Sequence, residues 1–347
     1  MKIKINQVAV FLCAIALFQL AVYAHTPSES GTSTANAPTL APVTVNANVG
    51  GPAMWRVSKD GHVMWVLGIV QVVPSNLTWQ SHDVAHVMVH AHELIMPPDA
   101  YFRLFFVKWL WWKSAIRGAS KNPGRATLAG ILPSPMYLRW RMLWRKYGDG
   151  NASIERFNPQ YAQRKLYHGF LQKTGLQSNH AVVNEIADIA RKYNVRITRA
   201  DYIEHIAHPK QFMMSSAPMS DELACFSVTL DFVEHDLDSI RKRAAAWATG
   251  DIQTLRTVRL ADRSACRTPL VLTRRYGAGD IPKRKQEAWL AAAQSALERN
   301  NVTVALLPMS EVLGKSGYLA ALQARGDAVE PPGSAEQARS KPAVNAH

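Results

Sequence analysis

The feature that most constrains the fold is a predicted β-hairpin between Ala53 and Pro74. Asp60-Gly61 separates a first run, Met54 to Ser58, from a second run, Val63 to Leu67. An Asp-Gly pair between two such runs favours the tight turn of a hairpin. The second run is almost entirely apolar, which is typical of a strand covered on both faces. The sequence therefore predicts an α/β fold with a buried strand in this stretch.

The end of this strand is a candidate ligand site. The second run ends near Gly68, and the polar residue Gln71 follows it. Open α/β sheets bind ligands beyond the carboxyl ends of their strands, so both residues are candidates. Gly68 has a second interpretation, because an isolated glycine in a strand pattern also allows a tight strand exit without any ligand.

The hairpin sequence WRVSKDGHVMWVLGIVQ closely resembles the N-terminal signature of the TraB/GumN family, which includes the Tiki-like metalloproteases. Residues 303–319 resemble the second motif of that family, and the order of elements matches from about Pro52 to Pro332. The resemblance implies two βαβ-like terminal halves that form a central sheet, with a helical middle region. It also implies that the strand ends meet at one cleft, with Gln71 facing Glu311.

Three positions depart from the metal-ligand pattern of the family. The resemblance implies histidines at 71 and 311 and a glutamate at 97, whereas the chain has Gln71, Glu311 and Pro97. A transition metal needs several suitable donors in a fixed geometry, so we expect neither a metal nor another cofactor here. Two further residues complete the candidate cleft. Lys315 is placed to pair with Glu311 at i, i+4 on one helix, and Arg284 resembles an arginine of the family.

The ends of the chain differ in composition from its centre. Residues 1–24 combine a basic start, an apolar run and a small-residue ending, which predicts a signal peptide cleaved after Ala24. A membrane anchor is the alternative, but the run is shorter than the roughly 20 residues of a spanning helix. Residues 25–50 favour a flexible leader and residues 333–347 a disordered tail. We therefore expect one family-like domain at 51–332, in the periplasm or secreted.

Two cysteines remain after removal of the signal peptide, Cys225 and Cys266. In an oxidising compartment such a pair is most simply a disulfide. It would close a loop of about 40 residues, which stabilises a fold by roughly 3–4 kcal/mol in the chain-entropy model. Two buried free thiols are the alternative.

Two aromatic segments carry interleaved basic residues, Tyr101 to Lys113 and Met136 to Tyr147. Their composition suits a surface for membrane lipid or an anionic polymer. The interpretation that we favour from sequence is different: Leu138, Met142 and the tryptophans pack a helix onto the core, while the basic groups stay in water.

Histidines give two weaker metal patterns. Residues 79–91 predict a helix with His82, His86 and His90 on its polar face, where adjacent pairs at i, i+4 can chelate a metal. A solvated polar face is the simpler interpretation. The run from Glu204 to His208 lacks the HExxH order of metalloproteases.

The charge balance indicates the kind of partner. Lys and Arg number 40 against 26 acidic residues, a net charge of +14, which becomes +12 without Lys2 and Lys4. This excess favours an anionic polysaccharide or a membrane surface, besides a protein partner, and export argues against nucleic acid. The sequence has no nucleophile motif. We predict a non-catalytic binding or assembly factor of the cell envelope, with surface polysaccharide as one partner that the resemblance allows. The alternative is a metal-dependent, protease-like hydrolase with altered ligands.

Overall fold

A six-stranded sheet organises the part of the chain that the computed structural model describes, residues 50–104, 120–206, 218–261, 263–266 and 280–333. The strands of this sheet are β1 (Met54–Lys59), β2 (His62–Ile69), β4 (Glu93–Ile95), β7 (Arg196–Thr198), β9 (Val302–Pro308) and β10 (Ala328–Glu330). They lie in the order β10-β1-β2-β9-β4-β7. Two smaller sheets pair β3 (Val72–Pro74) with β6 (Leu176–Ser178) and β5 (Ala100–Leu104) with β8 (Tyr202–Ile206).

Helices surround the sheet and fill the middle of the chain. They are α1 (His82–His90), α2 (Leu128–Ile131), α3 (Ser134–Tyr147), α4 (Pro159–Lys173), α5 (His180–Lys192), α6 (Met219–His235), α7 (Leu237–Ala248), α8 (Ile252–Thr257), α9 (Ile281–Arg299), α10 (Met309–Leu313) and α11 (Tyr318–Ala324). Short 3₁₀ turns occur at Pro123–Arg125, Ala152–Arg156 and Arg263–Cys266. Among the described helices, none is long and apolar enough to cross a membrane.

The predicted hairpin is confirmed. β1 and β2 are antiparallel, and Lys59 pairs with His62 across a two-residue turn. Asp60 and Gly61 both have positive φ, 50° and 86°. This backbone conformation matches the twist of the flanking strands and is one that Asp and Gly tolerate well. The turn therefore fixes the register of the two strands.

Two βαβ units share the sheet, as the family resemblance implies. β2, α1 and β4 form the first unit, and β9, α10, α11 and β10 form the second. β9 pairs in parallel with both β2 and β4, so it lies between the two strands of the first unit. Only β1 of the six strands runs in the opposite direction. The predicted architecture, a helix-rich α/β fold with two terminal halves around a central sheet, is confirmed.

Burial explains why β2 and β9 are so apolar. Val304 to Leu307 in β9 are inaccessible to solvent, and so are Met64, Val66 and Leu67 in β2. α9 packs against the sheet and buries Trp289 completely, and α7 brings the equally buried Trp247 to the same cluster. A strand covered on both faces has no face toward solvent, so its sequence does not alternate between polar and apolar residues. The sequences of β2 and β9 show this pattern.

The helical middle region has an apolar cluster of its own. Trp140 of α3, Phe170 of α4 and Phe226 of α6 are large members with almost no exposed surface. α6 and α7 meet at Asp236, which ends the first helix and precedes the second. The cluster thus forms where α3, α4 and α6 pack together.

The sequence pattern predicted a helix that begins at Trp79, but helix α1 begins at His82. Trp79 makes contacts that a continuous helix does not need. Its ring lies 5.4 Å from that of Trp247, and its indole N–H donates a hydrogen bond to the Glu185 carboxylate at 2.8 Å. Tertiary contacts therefore decide where this helix starts.

The expected packing of α3 is wrong in one respect. Trp140 is buried and stacks on Trp144, as expected, but Leu138 and Met142 are 58% and 55% exposed. The core face of α3 is formed by Trp140, Leu143 and Tyr147. Leu138 and Met142 lie on the opposite side of the helix, because residues four apart share a face that is turned away from positions 140, 143 and 147.

The predicted disulfide is present. Cys225 in α6 is bonded to Cys266, with their Cα atoms 4.6 Å apart. The bond attaches the 3₁₀ turn Arg263–Cys266 to the middle of α6. The alternative of two free thiols is therefore excluded by the structure.

Candidate functional site

The carboxyl ends of four parallel strands define the edge where the sequence predicted a site. The register pairs Ile69 of β2 with Pro308 of β9, and Ile95 of β4 with Thr198 of β7. Gln71 follows Ile69 by two residues. Glu311 follows Pro308 by three residues. Both candidates therefore lie just beyond the same edge of the sheet, which we call the carboxyl edge.

Gly68 occupies a tightly packed position. A Cβ atom on Gly68 would lie 2.6 Å from the Met309 Cε atom and 2.8 Å from its sulfur. The Gly68 carbonyl also accepts a hydrogen bond from the Trp247 indole N–H at 2.6 Å. Gly68 thus lets α10 lie directly over the end of β2. These contacts favour the tight strand exit over a direct ligand role.

Gln71 lies in the bend between β2 and β3. Its main-chain carbonyl accepts a hydrogen bond from the Asn179 N–H at 3.0 Å, which holds the backbone beside the start of α5. Its side chain is exposed. The amide can both donate and accept hydrogen bonds, so it suits a hydroxyl group better than a metal ion.

Glu311 and Lys315 do not lie on successive turns of one helix. α10 ends at Leu313, and Gly314 follows with an extended backbone, so Lys315 lies beyond the helix. Within the residues that the structure describes, no ion pair joins the two side chains. The suggested i, i+4 pair is therefore not formed. Glu311 is partly buried, and its carbonyl lies against Gly317.

Pro97 takes the position that the family resemblance assigns to a glutamate. It follows Met96, whose N–H donates to the Thr198 carbonyl at 2.9 Å and ends the pairing of β4 with β7. Proline has no donor or acceptor in its side chain. Gln71, Pro97 and Glu311 together do not fit a transition metal, and the described residues contain no group of three or more His, Cys, Asp or Glu able to hold one.

Arg284 belongs to a hydrogen-bonded group that sequence analysis did not predict. It donates to the Tyr202 hydroxyl at 2.6 Å, and that hydroxyl donates to the Glu204 carboxylate at 2.6 Å. The guanidinium also lies 3.8 Å from Glu204. Arg284 is 48% exposed, whereas Glu204 is almost buried at 11%. The group therefore presents a cation to solvent and keeps its carboxylate inside.

Chain direction places this group at the carboxyl edge. α9 leads into the start of β9 and packs on the sheet, so its first turn, with Arg284, lies toward the opposite end of that strand. β8, with Tyr202 and Glu204, follows the carboxyl end of β7. Both elements therefore bring their polar side chains to the edge that Gln71 and Glu311 flank.

The electrostatics of the group follow from burial and from its own hydrogen bonds. Burial and the hydrogen bond to Glu204 raise the pKa of Tyr202, so the hydroxyl stays protonated. The hydrogen bond with Tyr202 raises the pKa of Arg284, which stays charged. Nearby, burial raises the pKa of Asp201. The arrangement is a fixed donor and acceptor set, suited to binding.

Other sequence candidates lie apart from this group. His82, His86 and His90 are exposed on α1, where the rings of His86 and His90 are 5.7 Å apart. Glu204 lies in β8, but His208 lies outside the described residues. So does most of the aromatic segment Tyr101 to Lys113, whose first residues form β5.

A buried carboxylate, not predicted from the sequence, lies at the opposite end of the parallel strands. Glu93 accepts hydrogen bonds from Thr198 at 2.5 Å, Asn300 at 2.8 Å and Arg196 at 3.0 Å. Burial alone raises the pKa of Glu93, but these bonds and the charge of Arg196 outweigh it and lower the pKa below its usual value. The signal available in the sequence was a glutamate at the start of an apolar strand.

Comparison with known proteins identifies the family of the chain. Searches of curated proteins and of solved structures found no significant match. A family model described as the TraB/PrgY/gumN family matches residues 53–331, most of the chain. The chain therefore belongs to the TraB/PrgY/gumN family.

Proposed function

We propose that this chain is an exported, non-catalytic binding factor of the cell envelope that holds an anionic polysaccharide at its carboxyl edge. The observation that carries the proposal is the group formed by Arg284, Tyr202 and Glu204. It lies where open α/β sheets bind ligands, beyond the strand ends.

The chemistry of this group suits an acidic sugar. The planar guanidinium of Arg284 matches a carboxylate geometrically, and its contact with Tyr202 fixes its orientation before a ligand arrives. Orientation in advance reduces the entropy lost on binding. The exposed amide of Gln71 adds a donor and an acceptor for sugar hydroxyls. The net charge of +12 that remains without Lys2 and Lys4 attracts an anionic polymer over a longer range.

The residues at the family's metal positions support binding over hydrolysis. An exposed amide, a proline and one partly buried carboxylate leave a metal ion without enough ligands. A hydrolase that uses Glu311 with altered ligands is the competing function. The two functions differ in what the purified protein contains and in what it does to a peptide or a polymer.

The first experiment measures metal content and peptidase activity. We expect the exported protein, purified without chelator, to hold no Zn, Mn or Co near one per chain and to leave casein uncleaved. The exposed histidines His82, His86 and His90 are replaced by alanine first, to remove adventitious binding. One metal per chain that persists in this variant and is lost in Glu311→Ala would mean that the family chemistry survives, and the proposal would be wrong. A variant with Gln71→His and Glu311→His tests whether two ligands restore metal binding.

The second experiment measures binding of oligogalacturonate, a soluble acidic oligosaccharide, by calorimetry. Arg284→Gln should weaken binding roughly 10- to 150-fold, since a charge-assisted hydrogen bond contributes roughly 1.5–3 kcal/mol. Arg191→Gln is the matched control, because it removes the same charge from an exposed arginine of α5 that pairs with Asp188. Equal weakening by both variants would show that only net charge matters and would contradict a site at Arg284.

A further inference from the structure

The outer face of α3 combines exposed apolar and basic side chains. Leu138 and Met142 are the most exposed of the large apolar side chains in the described residues, at 58% and 55%. They lie four residues apart, and Arg141 and Arg145 follow Leu138 by three and seven residues. These spacings place the four side chains on one helix face. We call Leu138, Arg141, Met142 and Arg145 the outer face of α3.

The orientation of α3 is fixed from its other side. Trp140 is buried between Tyr137 and Trp144, with ring centroids 6.0 Å and 5.7 Å away. Arg139 forms ion pairs with Asp231 and Glu234 of α6. The helix cannot turn its apolar residues inward without breaking these contacts. Exposure of Leu138 and Met142 is therefore a property of the folded protein and costs it solvation free energy.

The charge of this face is of one sign. α3 contains no acidic residue, and its remaining basic residues are Arg141, Arg145 and Lys146. Of the carboxylates in the described chain, none lies within 4 Å of the nitrogen atoms of these three residues. Arg139 is the exception on this helix, because α6 neutralises it. Among the described residues, the arginines of the outer face thus have no ion-pair partner, although Arg141 lies over the Tyr137 ring at 5.7 Å, and they flank two exposed apolar side chains.

We propose that the outer face of α3 docks onto an anionic membrane surface. Arginines bind lipid phosphates, and apolar side chains between them insert among the acyl chains. A soluble acidic polymer would use Arg141 and Arg145 but would gain nothing from burying Leu138 and Met142. The pairing of both kinds of side chain on one face selects the lipid surface. This surface is separate from the Arg284 site and does not depend on it.

The experiment is sedimentation of the purified protein with vesicles. We expect binding to vesicles of phosphatidylcholine and phosphatidylglycerol in equal amounts, little binding to pure phosphatidylcholine, and a loss of binding at high salt. Leu138→Ser with Met142→Ser should weaken binding about tenfold or more, because the bound state then loses the burial of two apolar side chains in the membrane. Arg141→Gln with Arg145→Gln should weaken it to a similar extent.

Matched controls separate this face from general properties of the protein. Val89→Ser with Met219→Ser removes two other exposed apolar side chains, and Arg191→Gln with Arg241→Gln removes two other exposed arginines. Both controls should bind vesicles like the unmodified protein. If the Leu138/Met142 variant binds anionic vesicles as well as its control does, the proposal is wrong. The proposal is also wrong if oligogalacturonate displaces the protein from the vesicles and only the arginine substitutions weaken binding. The ligand of this face would then be an acidic polymer.

Insertion can be measured directly. Cys225 and Cys266 are bonded to each other, so Leu138→Cys gives the protein without its signal peptide a single thiol for an environment-sensitive fluorophore. We expect its emission to shift to the blue on addition of anionic vesicles. A label at Val89→Cys should show no shift. Vesicle binding without any shift at position 138 would overturn the proposed orientation.

Discussion

At the scale of single residues, Gly68 shows how a site signature can have a packing cause. Gly68→Ala should lower the free energy of unfolding by about 1–3 kcal/mol, because the new methyl group meets the buried Met309 side chain. Urea denaturation measures the change. Gly130→Ala is the control, since no atom lies within 4 Å of the added Cβ and the exposed helix position accepts alanine.

A double-mutant cycle identifies the cause of the Gly68 effect. Combining Gly68→Ala with Met309→Ala should cost less than the sum of the two single changes, because the shortened side chain leaves room for the methyl group. Strict additivity would contradict a steric role for the glycine and would leave a direct ligand role as the better explanation.

Glu93 gives a prediction about pH. The pKa of Glu93 in the folded protein is below its usual value, so the charged carboxylate stabilises the folded protein at pH values above the usual pKa. This stabilisation is lost as the pH falls through the folded-state pKa. Glu93→Gln should destabilise the protein by about 2–4 kcal/mol at neutral pH, because Arg196 and Asn300 then face a neutral group.

The difference in stability between Glu93→Gln and the unmodified protein should shrink when the pH is lowered below 4.5, the usual pKa of glutamate. Thermal unfolding at a series of pH values measures it. Glu298→Gln, an exposed change on α9, should have little effect at any pH. A constant difference between Glu93→Gln and the unmodified protein down to strongly acidic pH would contradict the lowered pKa.

At the scale of elements, local sequence signals predicted which segments form strands and helices, but not which elements lie side by side in the fold. The Asp60-Gly61 turn specifies β1 and β2 because both strands are adjacent in sequence. The position of β9 between β2 and β4 depends on pairing across more than 200 residues. The family resemblance implied a shared central sheet but not this strand order. The hydrogen-bonded group around the predicted Arg284, and the whole of the Glu93 cluster, escaped prediction for the same reason. Their partners are distant in sequence, such as Tyr202 and Asn300.

The disulfide belongs to the element scale, because it joins α6 to the turn Arg263–Cys266. Its sequence separation of 41 residues corresponds to roughly 3–4 kcal/mol of stabilisation in the chain-entropy model. Replacing Cys225 and Cys266 by serine should therefore lower Tm by about 5–7 °C in a domain of this size. Calorimetry measures the shift, and reduction of the unmodified protein should give a similar one. Two thiols that react with a maleimide in the denatured, unreduced protein would contradict the bond.

At the scale of the whole molecule, the family match and the sheet account for residues 53–331, whereas the assignments at the two ends stay predictions. We predict that the protein is exported and that its mature form begins at His25. The basic start, the apolar run and the ending Val22-Tyr23-Ala24 are what signal peptidase requires, and the enzyme accepts only small residues at the last position. Mass spectrometry of protein from the envelope fraction measures the N-terminus.

Two variants test the site of cleavage. Ala24→Leu should block processing and leave residues 1–24 attached, because leucine does not fit where a small residue is needed. Thr26→Leu lies just beyond the predicted cut and should be processed normally. Export also bears on the Cys225–Cys266 disulfide, since disulfides generally form and persist in oxidising compartments. Exported protein that retains Met1, or that is cut equally well with leucine at position 24, would show that the cleavage prediction is wrong and would remove the main support for an envelope location.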